Sequence, residues 1–140
     1  MYAASTISKF IVNWCNENDV FITNLKLQKL LYFIQGEYYK KQKKRLFDGE
    51  FYAWKLGPVI PSEYYKYAVY SSTAIPKQEE VRIEEKDSKL LDMFLRKYAL
   101  FSTWDLVNKS HAQDPWRYNH EIFGEKSLIP FDSIKDYFAK

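Results

Sequence analysis

Hydrophobic positions recur at helical spacing over most of the chain. From Ser5 to Asn16 they fall at Ile7, Phe10, Ile11, Trp14 and Cys15, which predicts a helix with one buried stripe. A second helix begins at Thr23 or Asn24, both good N-caps, and carries Leu27, Leu30, Leu31, Ile34 and Tyr38 on one face. Leu25 and Phe33 widen its apolar surface, so this helix is expected to be central. Lys26, Gln28, Lys29 and Gln35 mark its polar side, and Gly36 leaves room for a close neighbour. Further on, Ser88 caps a helix with Leu90, Leu91, Phe94, Leu95 and Tyr98 inward, and Ser102 starts another that carries Trp104, Leu106 and Val107 and ends near Lys109. After Ile129-Pro130 a short last helix is expected, capped by Asp132 or Ser133 and anchored by Ile134, Tyr137 and Phe138.

Between these helices the pattern changes. Phe51 to Trp54 reads as a short strand or extended segment, and Gly57-Pro58 breaks it. Gly57 can take dihedrals barred to other residues, Pro58 has no N–H, and Pro61 suits the first turn of a helix. That helix is rich in tyrosine, with Tyr64, Tyr65, Tyr67 and Tyr70, and ends at Ser71-Ser72-Thr73. The stretch from Ala74 to Asp87 is polar and acidic, with Val81 and Ile83 alternating as in a marginal edge strand, and is expected to form a mobile loop or hairpin. The sum is a mainly α chain: a compact helical bundle, residues 1–140 as one domain, with a short β ribbon or extended segments near residues 50–56 and 80–84.

Composition sharpens this in one respect. Of 140 residues, 19% are aromatic (12 Tyr, 10 Phe, 4 Trp), a high share; much of it can fill a core between helices, but Tyr is also enriched at contact surfaces, so a partner-binding face stands beside core filling as a use for it. The Tyr64, Tyr65, Tyr67 and Tyr70 face is the candidate contact surface. A single cysteine excludes an internal disulfide framework and suits a reducing cytoplasm, and no stretch approaches the ~20 apolar residues that span a bilayer. Net charge is +3, too balanced to demand a nucleic-acid partner. One local exception is the run Lys40, Lys41, Lys43, Lys44 and Arg45: either it meets phosphates, as in a regulator that represses its own operon, or it is a solvated helix end whose cations suit the dipole.

Candidate chemistry is sparse. One Cys and two His fall short of a zinc site, and the four glycines are too dispersed to cradle a phosphate, so no metal or cofactor is expected. Cys15 on an apolar helical stripe is expected to be inert rather than paired with His111 or His120. His111 and Asp114 could orient each other as base and carboxylate, but no nucleophile is fixed beside them; the alternative is a closed turn in which Trp116 plugs the core. A non-enzymatic protein is expected.

Three segments in order resemble the Panacea antitoxin domain, the family of SocA-type antitoxins and many phage-associated proteins. The first is Thr23 to Gly36, with Leu27, Gln28, Lys29, Leu30 and Tyr32; the second runs from Leu46-Phe47 through Trp54 to Gly57, Pro58 and Pro61; the third is Ser110-His111 to Asp114, Pro115 and Trp116. Ser110 stands where the family commonly has Thr, which keeps the hydroxyl. The resemblance implies a small, mainly helical, cytoplasmic protein that neutralises a toxin encoded nearby by direct contact. It also implies that these shared residues are scaffold and that partner choice lies on other surface.

Overall fold

The helix expected to be central is enclosed on nearly all sides. In the computed structural model, which describes residues 1–140, α1 (Ala4–Glu17) precedes α2 (Asn24–Gln42), which is followed by a hairpin of β1 (Phe51–Trp54) and β2 (Gly57–Val59). Then come α3 (Pro61–Tyr67) with a 3-10 turn at Ala68–Tyr70, α4 (Glu85–Tyr98), α5 (Thr103–His111), α6 (Asp114–Phe123), β3 (Ser127–Ile129) and α7 (Phe131–Phe138). The strands form one antiparallel sheet in the order β2-β1-β3, with Tyr52 opposite Val59 and Phe51 opposite Ile129. Helices α1, α3, α4, α5 and α7 and strand β2 all pack on α2. The fold is mainly α around that axis.

A helix packed on all sides is ordinarily apolar all round, yet this one is not. Asn24, Lys26, Gln28, Lys29 and Gln35 are all buried with Leu27, Leu30 and Phe33. The expectation that Lys26, Gln28, Lys29 and Gln35 form a side turned to water is therefore corrected. Periodicity assigns polar residues to solvent because it cannot see acceptors and donors brought up by another segment. Here the segment from Leu46 to Tyr64 supplies them. Gln35 donates to the Phe47 carbonyl (2.9 Å) and accepts from the Leu46 N–H (2.9 Å), Gln28 accepts from the Ile60 N–H (3.1 Å), and Asn24 donates to the Tyr64 carbonyl (2.9 Å). Lys29 Nζ donates to the Pro58 carbonyl at 2.7 Å. Side chains of α2 thus act as the missing ladder partner along a chain too irregular to pair with itself, and they seal the outer edge of β2.

Each such side chain holds groups that cannot otherwise be satisfied. Gln35→Ala leaves the Phe47 carbonyl and Leu46 N–H buried and unpaired, and an unpaired buried polar group costs about 1–3 kcal/mol. The expected result in urea is a lower unfolding midpoint with an unchanged m-value, corresponding to a loss of roughly 2–4 kcal/mol.

Gly36 does admit a close neighbour. The Phe138 ring of α7 lies 2.3 Å from where a Cβ on Gly36 would sit, and Phe138 also meets Tyr32 edge to face at 5.8 Å. At the other end of the chain, the Tyr2 N–H donates to the Leu46 carbonyl (2.9 Å), while the hydroxyls of Tyr2 (2.7 Å) and Tyr38 (2.8 Å) both donate to Asp87. This moves the start of α4 to Glu85, three residues before the expected cap Ser88: with Asp87 fixed by two tyrosines and the Glu84 N–H held by Tyr2 Oη (3.0 Å), the first turn forms without a side-chain cap.

The acidic stretch before α4 has no regular secondary structure: residues 80–84 pair with no strand, and the stretch is not a hairpin. It is strapped along α1 and the loop after it: the Ile75 N–H donates to the Ile22 carbonyl in that loop (2.8 Å), Asn13 both accepts from the Gln78 N–H (2.7 Å) and donates to the Glu79 carbonyl (3.2 Å), and Lys9 pairs with Glu79. Two further elements, α6 and β3, lie where the sequence pattern announces none. Pro115 reads as part of a turn in sequence, but it occupies the first turn of α6, where its missing N–H costs nothing.

Candidate functional site

The three segments that carry the family motifs meet around Lys29. Gly57 has φ +112°, and a Cβ there would stand 2.6 Å from Lys29 Cε and 2.7 Å from Ser110 Oγ. Ser110 turns its hydroxyl back to the Val107 carbonyl (2.8 Å), so it packs against this corner without adding a donor to it. Lys29 is wholly buried, has no carboxylate partner, and is pushed down to about 7 by burial alone. Its one hydrogen bond, to Pro58, fixes the hairpin against α2.

Beside this corner Trp116 lies between two imidazoles. His111 stacks on it at 3.9 Å and His120 at 4.4 Å between ring centroids. Trp116 donates its indole N–H to the Trp54 carbonyl (2.8 Å), Glu125 accepts from the Lys55 N–H (3.2 Å), and the same carboxylate meets His120 (3.0 Å). The β1–β2 turn is therefore held from α6 and from the loop after it. Burial pulls the His111 pKa below its ordinary value, with the nearby charges of Lys29 and His120 adding to the effect and a contact to the Lys55 backbone opposing it. Its Nε2 is buried without a partner. Asp114 pairs with Arg117 instead, which holds its carboxyl below the usual range. No dyad of His111 and Asp114 forms. Trp116 is half-buried against the core rather than a plug within it.

Cys15 is buried in α1 and its thiol is pushed up to about 12 by burial, so it is un-ionised at neutral pH. No three His, Cys, Asp or Glu side chains converge on a point that could hold a metal ion. None of the helices is long and apolar enough to cross a membrane.

The tyrosine face divides. Tyr65 is 63% exposed, Tyr64 is half-buried and meets the Trp54 ring at 5.0 Å, and Tyr70 is half-buried against Tyr67. Tyr67 is 2% exposed and belongs to the core, so it cannot touch a partner; the helix turns it inward beside buried Glu63. The basic run also divides. Lys40 and Lys41 close the last turn of α2 and Lys43 is its left-handed C-cap, all exposed with Lys44, whereas Arg45 sits 4.5 Å over the Phe131 ring and donates to the Gly49 carbonyl (3.1 Å).

Next to Trp54 the surface opens into a groove of about 610 Å³. It is lined by Trp54 at the end of β1, by Lys55 and Leu56 of the β1–β2 turn, by Thr103 and Trp104 in the first turn of α5, and by Leu25 and Tyr64. Trp104 is 60% exposed. It falls off the buried stripe of α5, which runs through Leu106, Val107 and Ser110, and that displacement is the one sequence signal that could have marked it as surface.

The family model for "Antitoxin SocA-like, Panacea domain" matches residues 27–117, a span that runs from α2 to Trp116 and its stack on His111. Antitoxin SocA of Caulobacter vibrioides (strain NA1000 / CB15N) is 39% identical over 61 residues, which is 44% of this chain and 32% of that protein. The match thus spans about a third of the length of that relative. No solved structure matches this chain.

Proposed function

Since the chain belongs to the SocA-like antitoxin family of the Panacea domain, we propose that it neutralises a cognate toxin by binding it directly, as one cytoplasmic domain of residues 1–140 and without catalysis or a cofactor. The observation that carries this reading is the groove beside Trp54: a concave surface lined by aromatic side chains and left open next to a cluster of shared residues in which His111 has no carboxylate partner. Lys29, Gly57, Pro58, Ser110, His111 and Trp116 then serve as scaffold that positions the groove wall, which agrees with their burial and mutual contacts. Lys40 and Lys41, at the C-terminal end of α2, complement its dipole.

Co-expression with the protein encoded beside this gene provides the test. The expected outcome is that the neighbour alone arrests growth, that this chain restores it, and that the two purify together as a stable complex. A monomer that neither binds the neighbour nor restores growth would overturn the reading.

A further inference from the structure

Large exposed apolar side chains are scattered over the surface, Phe21, Val69, Met93 and Leu100 among them, and they gather in two places. Tyr118, Ile122 and Phe123 stand on the outside of α6, where Tyr118 alone borders a hollow, one lined mostly by polar residues. Around Trp54 the surface is concave, and it is enclosed by segments that are far apart in sequence. Its volume lies within the ~300–1,000 Å³ of pockets that enclose a compact ligand or one large anchoring side chain with its neighbours. Its wall is also fixed in advance, because the Trp54 carbonyl and Lys55 N–H are both occupied by α6-side groups. Preorganised aromatic pockets of this kind hold the few residues that dominate an interface.

Charge beside the groove is unbalanced. Lys55 and Lys126 are exposed, and neither enters an ion pair. Lys126 Nζ lies 4.9 Å from the centre of the Trp54 ring, at the edge of the same wall. The acid at that end, Glu125, is already engaged by His120 and the Lys55 backbone. Lys55 and Lys126 thus outnumber Glu125, the one acid that lines this end of an apolar slot.

Resting on the antitoxin reading, we propose that the groove between Trp54 and Trp104 receives one large apolar side chain of the toxin, and that an Asp or Glu adjoining that anchor meets Lys55 and Lys126. The anchor displaces poorly held water from between two indoles, and the acid fixes which way the toxin loop runs across the β1–β2 turn. Specificity comes from the pair: an apolar residue without the acid leaves the lysines unmatched, and an acid without the anchor leaves the slot open to water.

The test uses the full chain and the toxin encoded beside it, with Kd measured by calorimetry at low and high salt. Trp104→Ala is expected to weaken binding about 30-fold or more, and Leu56→Glu, in the β1–β2 turn that also lines the groove, to do the same should Trp104→Ala lower the melting temperature. Lys55→Glu with Lys126→Glu is expected to weaken binding about tenfold at low salt and to flatten its salt dependence. Phe123→Ala, on α6, is expected to leave Kd within about threefold. Binding that keeps its wild-type strength in both Trp104→Ala and Leu56→Glu, or that Phe123→Ala abolishes, overturns the groove and leaves the antitoxin reading standing. A salt response unaltered by the charge reversals overturns the acidic half of the proposal. Wild-type protein that neither binds nor neutralises the neighbour overturns the antitoxin reading, and the groove proposal with it.

Discussion

Lys29→Met is expected to remove a rise in stability that the wild-type protein shows between pH 7 and pH 9. The ammonium of Lys29 is buried with one carbonyl acceptor and no anion, and its folded-state pKa falls from 10.5 to about 7. In the unfolded chain the amine is solvated and holds its proton up to the ordinary lysine value. Between the two values the unfolded state binds a proton that the folded state does not, so stability rises with pH over that window and is lost as pH falls through 7. Each pH unit of the window is worth about 1.4 kcal/mol, which makes the expected gain from pH 7 to pH 9 roughly 2–3 kcal/mol. Methionine keeps the length of the stem and cannot titrate. It forfeits the bond to Pro58, a loss of about 1–3 kcal/mol, but it also removes a charge that wild type must bury or discharge. The variant should therefore match or exceed wild type at pH 7 and fall behind it at pH 9, as read from urea midpoints. Above pH 9 the comparison is confounded by groups with the opposite sign, since burial raises Cys15 to about 12 and also raises Tyr32 and Tyr67, and their contribution declines with further rise in pH. His111, whose pKa is lowered, adds a separate loss on the acid side. A Lys29→Met protein that still gains stability from pH 7 to pH 9 by the wild-type amount would show that the slope belongs elsewhere.

The same lysine shows where the sequence is legible and where it is not. Helices α1, α2 and α5 and strand β1 can be placed within a residue or two, because their apolar positions repeat at 3.6 or mark a short extended run between turn residues. The central place of α2 is legible from its excess of apolar residues. What periodicity cannot convey is the use of a polar residue: Gln28, Lys29 and Gln35 look like a wet face until the segment from Leu46 to Ile60 is laid against them. Helix α6 and strand β3 escape notice for the converse reason. Tyr118, Ile122, Phe123 and Leu128 are apolar but exposed, so they break the pattern that would announce either element. The motif residues themselves are legible through resemblance, and the structure supplies what the resemblance lacks, namely that they contact one another. The groove is half legible. Trp54 and Tyr64 stand out as aromatic, whereas Trp104 comes to face them only through the packing of α5 against β2.

Gly57→Ala is expected to cost roughly 3 kcal/mol or more, because two independent costs fall on the same atom. The backbone there has φ +112°, where a Cβ is strained whatever surrounds it, and the new methyl would lie 2.6 Å from Lys29 Cε and 2.7 Å from Ser110 Oγ. Gly124 separates these terms. It has φ +91° and nothing within 4 Å of where an added methyl would sit, so Gly124→Ala carries the backbone cost alone and should lose about 1–3 kcal/mol. The remainder at Gly57 is crowding, and crowding depends on the neighbour. In a Lys29→Ala background the stem that meets the methyl is gone, and Gly57→Ala should cost less than it does in wild type, a coupling that urea unfolding of the four proteins of a double-mutant cycle would measure directly. Equal costs in both backgrounds would place the damage in the backbone or against Ser110 and deny that Lys29 and Gly57 are fitted to each other. A coupling of the expected sign would mean that the glycine of the hairpin and the lysine of α2 constrain one another, so that the turn carrying Trp54 and Lys55 is held in place from the core outward.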